Sequence, residues 1–146
     1  METSYLLDKS AQNRKAARLL LHREKLYASS VHCGYYSCIQ KVLHVLQVYF
    51  TEEFDDMVKN AKDPEGDKRS GKGDFHGGYI KLISWAIMDH LKQNKDGRKI
   101  RDKLIELKKF RIKSDYYDVE INEYLATKAD AHVEEVHKII LKHISL

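Results

Sequence analysis

The stretch Tyr35-Tyr36-Ser37-Cys38-Ile39-Gln40-Lys41-Val42-Leu43-His44-Val45-Leu46-Gln47-Val48-Tyr49-Phe50 decides the fold class. Tyr36, Ile39, Leu43, Leu46 and Phe50 step by 3, 4, 3 and 4 along it, and Tyr35, Cys38, Val42, Val45 and Tyr49 take the same steps beside them. That period belongs to a helix, and two adjacent apolar seams are wider than one partner helix covers. One seam faces the core of the chain. The other faces a second subunit, with Tyr35, Val42 or Tyr49 near the contact, or is covered by the chain's own helices.

Working outward, breakers delimit five helical stretches, at about 4–25, 29–59, 76–93, 97–113 and 119–144. Pro64, Gly66, Gly71 and Gly73 fall among mixed charges and mark a solvated loop at about 60–74. Asp96 and Gly97 read as the turn between the third and fourth helices, and Ser114 and Asp115 as capping residues after the fourth. With one proline and 42% hydrophobic residues in a chain of 146, the expectation is a single all-α domain, an antiparallel up-down bundle.

No apolar run approaches the roughly 20 residues that span a bilayer, and the first ten residues lack a basic segment leading into an apolar one. Cys33 and Cys38 lie about 140° apart around a helix, so they neither pair nor chelate together, and a reducing, cytoplasmic setting is expected. No structural metal, disulfide or cofactor is expected. His132-Val133-Glu134-Glu135-Val136-His137 spaces its histidines five apart instead of the four a zinc helix needs. Gly66 to Gly73 has the look of a phosphate-binding loop but lacks the Ser or Thr after its lysine and a strand before it.

Charge is split along the chain. Arg98 to Lys113 holds eight basic and two acidic residues, and Ser114 to Glu135 holds one basic and seven acidic. This either steers nucleic acid to the basic segment or lets two neighbouring helices attract each other. Within the basic segment Ile100, Leu104 and Leu107 share about 60° of arc, and Arg111 falls in the middle of it. An arginine that ends an apolar stripe snorkels, pairs with Asp115 or Asp118, or holds a phosphate. On the last helix Ile121, Leu125, Val136 and Ile139 share an arc with His132 and His143, which reads as satisfied core histidines.

Three segments together carry a family resemblance. Ser30-Val31-His32-Cys33-Gly34-Tyr35-Tyr36-Ser37-Cys38-Ile39-Gln40, Phe75-His76-Gly77-Gly78-Tyr79-Ile80 and Leu107-Lys108-Lys109-Phe110-Arg111-Ile112-Lys113-Ser114-Asp115-Tyr116-Tyr117-Asp118 stand in the order and spacing of HEPN domains, and the chain resembles that family from about residue 15 to 140. The resemblance implies a four-helix bundle with an added helix, a homodimer, and partnership with a small nucleotidyltransferase. It also implies binding of RNA or a nucleotide in a toxin–antitoxin or defence system. Many members are metal-independent ribonucleases whose motif is an arginine followed four to six residues later by a histidine. Arg111 carries over as the motif arginine, but the corresponding positions are Tyr116, Tyr117 and Asp118, none of them histidine. A phenol with a pKa near 10 replaces imidazole poorly in proton transfer. The expectation is therefore a catalytically weak or inactive binding module; a ribonuclease with a rearranged site and a structural adaptor are the alternatives.

In an up-down bundle the start of the third helix, the end of the fourth and the start of the fifth share one end. That brings His76, Arg111, Asp115 and Tyr116 together with the basic loop residue Lys72. The candidate catalytic set is Arg111, His76 and Tyr116, and the candidate binding set Arg111, Asp115, His76 and Lys72. The alternative is that His76 only caps its helix and the loop is solvated.

Overall fold

The alternation of small and large side chains on the second helix dictates how the chain packs. A computed structural model describes residues 5–61 and 76–144, and among these all regular structure is helical: α1 (Tyr5–His22), α2 (Tyr27–Tyr49), α3 (Thr51–Ala61), α4 (His76–Trp85), a π-helical turn (Ala86–His90), α5 (Asn94–Tyr116) and α6 (Glu123–His143). Ser30, Gly34 and Ser37 form a face of α2 without bulk. The Ser30 hydroxyl donates to Ala17 O at 2.7 Å, and the Ser10 hydroxyl donates to Ser37 O at 2.6 Å. A Cβ at Gly34 would stand 3.1 Å from Val133 Cγ2, so α1 and α6 both approach the helix there. The large residues Tyr35, Val42, Val45 and Leu46 are then left to fill the core with Ile83, Ile87, Ile100, Leu104 and Leu107 of α4, the π turn and α5.

Both seams of α2 are covered by the chain itself. Tyr35, Cys38, Val42 and Val45 are fully buried, as are Ile39, Leu46 and Phe50, while Tyr36 and Leu43 are half-buried. Tyr35 and Val42 are thus unavailable to a second subunit, and of the three contact residues expected only Tyr49 is exposed. The double seam is explained by α1, α5 and α6 packing around one helix from several sides.

The helix expected over 29–59 is two helices. It breaks at Phe50, whose backbone leaves the helical region (φ −132, ψ 46) although no glycine or proline stands there. The break turns Phe50 and Phe54 into the core, and their burial compensates for the lost helical geometry. The turn expected at Asp96–Gly97 lies earlier. Gly97 is in the first turn of α5, its N–H bonded to Gln93 O, at the point where α5 meets the preceding π turn; a Cβ there would lie 2.1 Å from Met88 Cγ. Ser114 and Asp115 do not cap a finished helix: α5 continues through them to Tyr116, and Asn122 caps α6 by accepting from Leu125 N–H.

Two helix ends close on lysines in the left-handed region, Lys25 (φ 54) and Lys92 (φ 59). Leu26 N–H reaches back to Leu20 O at 2.8 Å, and Gln93 N–H reaches back to Ile87 O at 2.9 Å. Each reaches back six residues, one more than the six-to-one bond of a Schellman ending, in which glycine usually occupies the left-handed position. Part of the charge split is spent between neighbouring helices: Lys99 pairs with Glu135 and Lys128 with Glu106 across α5 and α6. Asp96 pairs with Lys142 and His143 in the same way. No helix of the described residues is long and apolar enough to cross a membrane.

Candidate functional site

The antiparallel course of α2 and α5 brings the start of one beside the end of the other, and α4 begins at the same place. There Arg111 continues the buried stripe Ile100, Leu104 and Leu107, as their shared arc predicts. Its side chain is only 9% exposed, and its closest carboxylate oxygen, on Asp115, is 3.8 Å from the guanidinium. Its Nε is buried without a hydrogen-bond partner among the described residues. Aromatic faces surround the charge instead. The guanidinium carbon lies 5.2 Å from the ring centre of Tyr35, 5.8 Å from that of Tyr36 and 5.9 Å from that of Tyr116. Burial opposes the cation, but Tyr36, Tyr35 and Asp115 outweigh it and hold the arginine above its ordinary pKa.

His76 joins this cluster from the first turn of α4. The Tyr35 hydroxyl and His76 Nδ1 are 2.9 Å apart, and the imidazole packs against the rings of Tyr36 and Tyr79. Of the expected set, His76, Arg111, Asp115 and Tyr116 are therefore brought to one end of the molecule, and Lys72 lies outside the described residues.

Sequence reasoning misses His32. This residue is on α2, one turn before Tyr35 and Tyr36, and its Nδ1 lies 3.0 and 2.9 Å from the two carboxylate oxygens of Asp115. Its ring also packs 4.7 Å from that of Tyr36. Nothing in the local pattern marks it, since its partner is 83 residues away. Tyr35 and Tyr36 are legible as part of an apolar seam but not as the platform under a guanidinium. His32, Ser29, Cys33, Ser114, Asp115 and Tyr116 line an open cleft of about 600 Å³. Burial first, and Asp115 second, push the Cys33 thiol up, so it stays protonated and is no thiolate nucleophile.

Three further histidines meet partners within the fold. His132 is buried, stacks on Phe110 and has Nε2 at 3.1 Å from Glu106 Oε2, without the alignment of a hydrogen bond. His143 meets Asp96 at 2.6 Å near the other end of α5. His137 bridges Ser37 Oγ and Lys41 Nζ at 3.1 Å each. Comparison of the chain with family models, with characterised proteins and with solved structures finds no match.

Proposed function

We propose that the chain is a HEPN-like helical module that binds RNA or a nucleotide by holding a phosphate group with Arg111. The observation that carries this reading is the unspent hydrogen-bonding capacity of a buried guanidinium. A buried arginine is ordinarily matched by carboxylates that take up its five N–H groups. Here three tyrosine rings stabilise the charge through their faces, which uses none of those donors, and Asp115 stands too far away to accept a strong hydrogen bond. A phosphate accepts such a fork in bidentate fashion. Tyr116 is the outermost of the three rings, 73% exposed on the last turn of α5, so its displacement opens the guanidinium to a ligand.

The family reading draws support from the same place. The three segments that carry the resemblance sit on α2, at the start of α4 and at the end of α5, and they converge on this one cluster. In that reading α1, α2, α5 and α6 form the antiparallel four-helix bundle, and α3 and α4 are the addition. A homodimer would use a surface other than the two seams of α2, and a small nucleotidyltransferase is the protein partner to seek. Titration of Arg111→Lys against labelled RNA and against ATP tests the proposal, with weaker binding expected.

A further inference from the structure

Asp115 can accept more than its neighbours give it. Because a carboxylate only accepts, Nδ1 of His32 carries a proton, and the two oxygens of Asp115 share it at 3.0 and 2.9 Å. The guanidinium of Arg111 stands 3.8 Å from one of those oxygens. A carboxylate has about four lone-pair sites, so both oxygens keep acceptor capacity. Asp115 is 20% exposed and lines the open cleft with His32 and Tyr116, whose side chains present flat ring faces there. Ser114 lies in the same wall, and its hydroxyl is buried with no hydrogen-bond partner among the described residues.

We propose that this cleft selects a guanine base, with Asp115 accepting from its N1–H and its 2-amino group. The inference rests on the reading of Arg111 as a phosphate-holding residue and adds to it which base the site admits. Guanine alone among the four bases carries two adjacent donors on its Watson–Crick edge, and a carboxylate takes two parallel N–H bonds as it does from an arginine fork. Adenine and cytosine place a ring lone pair beside their single amino group. Uracil flanks its one N–H with two carbonyls. Each of these three would set an acceptor against a charged oxygen and leave that oxygen desolvated without a donor, which is the strongest form of rejection a polar site has.

The surroundings suit a base. A cleft of about 600 Å³ is of the size that takes a small ligand, and the rings of Tyr116 and His32, 73% and 47% exposed, are faces on which a flat heterocycle stacks. Arg111 meets both Asp115 and Tyr116, at 3.8 Å from the carboxylate and 5.9 Å from the ring centre. One nucleotide can therefore touch the carboxylate with its base and the guanidinium with its phosphate. The cation also offsets the repulsion between that phosphate and Asp115. The guanine can belong to a free nucleotide or to a residue of a single strand, since both expose the same edge.

The test titrates the full chain with GMP, IMP, AMP, CMP and UMP, and with uridine strands that carry one central G, A or C. GMP should bind about one to two decades more tightly than AMP, CMP or UMP, the discrimination typical of a bidentate pair. IMP lacks only the 2-amino group and should fall between; this comparison needs no variant. Asp115→Ala should level the series, whereas Arg111→Lys should weaken every member by the same factor and keep the order. A guanine preference among the nucleotides, among the strands or in both supports the assignment and names the source of the base. Equal affinity for all bases in wild type, or a guanine preference that survives Asp115→Ala, overturns the inference and leaves the phosphate reading standing. Absence of binding by every ligand in both sets removes both.

Discussion

The hydroxyl of Tyr35 and Nδ1 of His76 lie 2.9 Å apart, joining the buried middle of α2 to the first residue of α4. The same tyrosine offers its ring face to Arg111, so one side chain links the three segments of the site.

Tyr35→Phe keeps the ring and removes that hydrogen bond. Stability should fall by about 1 kcal/mol, the net worth of a typical intramolecular hydrogen bond. Chemical denaturation measures the loss, and amide exchange over 76–79 should speed up as the start of α4 is released. An unchanged midpoint and exchange pattern would show that the contact holds nothing in place.

Arg111→Lys keeps the charge but loses the planar fork. If the guanidinium holds a phosphate, affinity for RNA or ATP should drop by about one to two decades, the equivalent of about 1.5–3 kcal/mol for a charge-assisted contact. Fluorescence titration reads this directly. A lower melting temperature with unaltered affinity would make Arg111 a structural residue stacked on its tyrosines.

Val42 is fully buried and Tyr49 is 47% exposed on the same seam. Val42→Glu should therefore unfold the chain or cost several kcal/mol, since an unpaired carboxylate would be placed in the core. Tyr49→Glu, at an exposed position, should cost far less. Light scattering and circular dichroism on both variants separate lost folding from lost association; a folded, monomeric Val42→Glu protein would contradict the burial of both seams.

Acid should weaken the fold through His137. Burial first, then the charges of Lys41 and Arg14, push this imidazole down to about 3, against an ordinary value of 6.5. Between those values the unfolded chain binds a proton that the folded chain does not. The stabilisation is thus complete above about pH 6.5 and drains away as pH falls towards 3, by about 3 kcal/mol at pH 4. His137→Gln, which retains a donor for Ser37 and an acceptor for Lys41, should flatten this part of the curve. Equal acid sensitivity in wild type and variant would assign the loss to other groups.

Gly97→Ala should destabilise the protein although alanine is the better helix former by about 1 kcal/mol. The new methyl would lie 2.1 Å from Met88 Cγ and 3.0 Å from both Met88 N and Ser84 O. The methionine can swing away, but the two backbone atoms belong to the helical turns that α5 packs on. A net loss of about 1–3 kcal/mol by thermal melting is expected, and a stabilised variant would show that the π turn yields freely.

What the sequence by itself determined is local and periodic. The 3-and-4 spacing establishes helices, the breakers bound most of them, and the arc shared by Ile100, Leu104, Leu107 and Arg111 marks the arginine as a residue of the buried face. Up-down connectivity is enough to bring His76, Arg111, Asp115 and Tyr116 to one end. The tertiary structure decided the rest, because those outcomes depend on groups far apart in the chain. His32 joins the cluster only when Asp115, 83 residues later, is rotated to face it. Phe50 breaks a helix without a breaker because core burial outweighs helical geometry there. Lys25 and Lys92 take left-handed positions because their helices must end where the next element packs, and the closing backbone bonds offset the cost of a side chain there. Helix periodicity reports which face of each helix is apolar; the rotation and height at which two helices meet, and hence which polar side chains touch, arise only when the cores interlock.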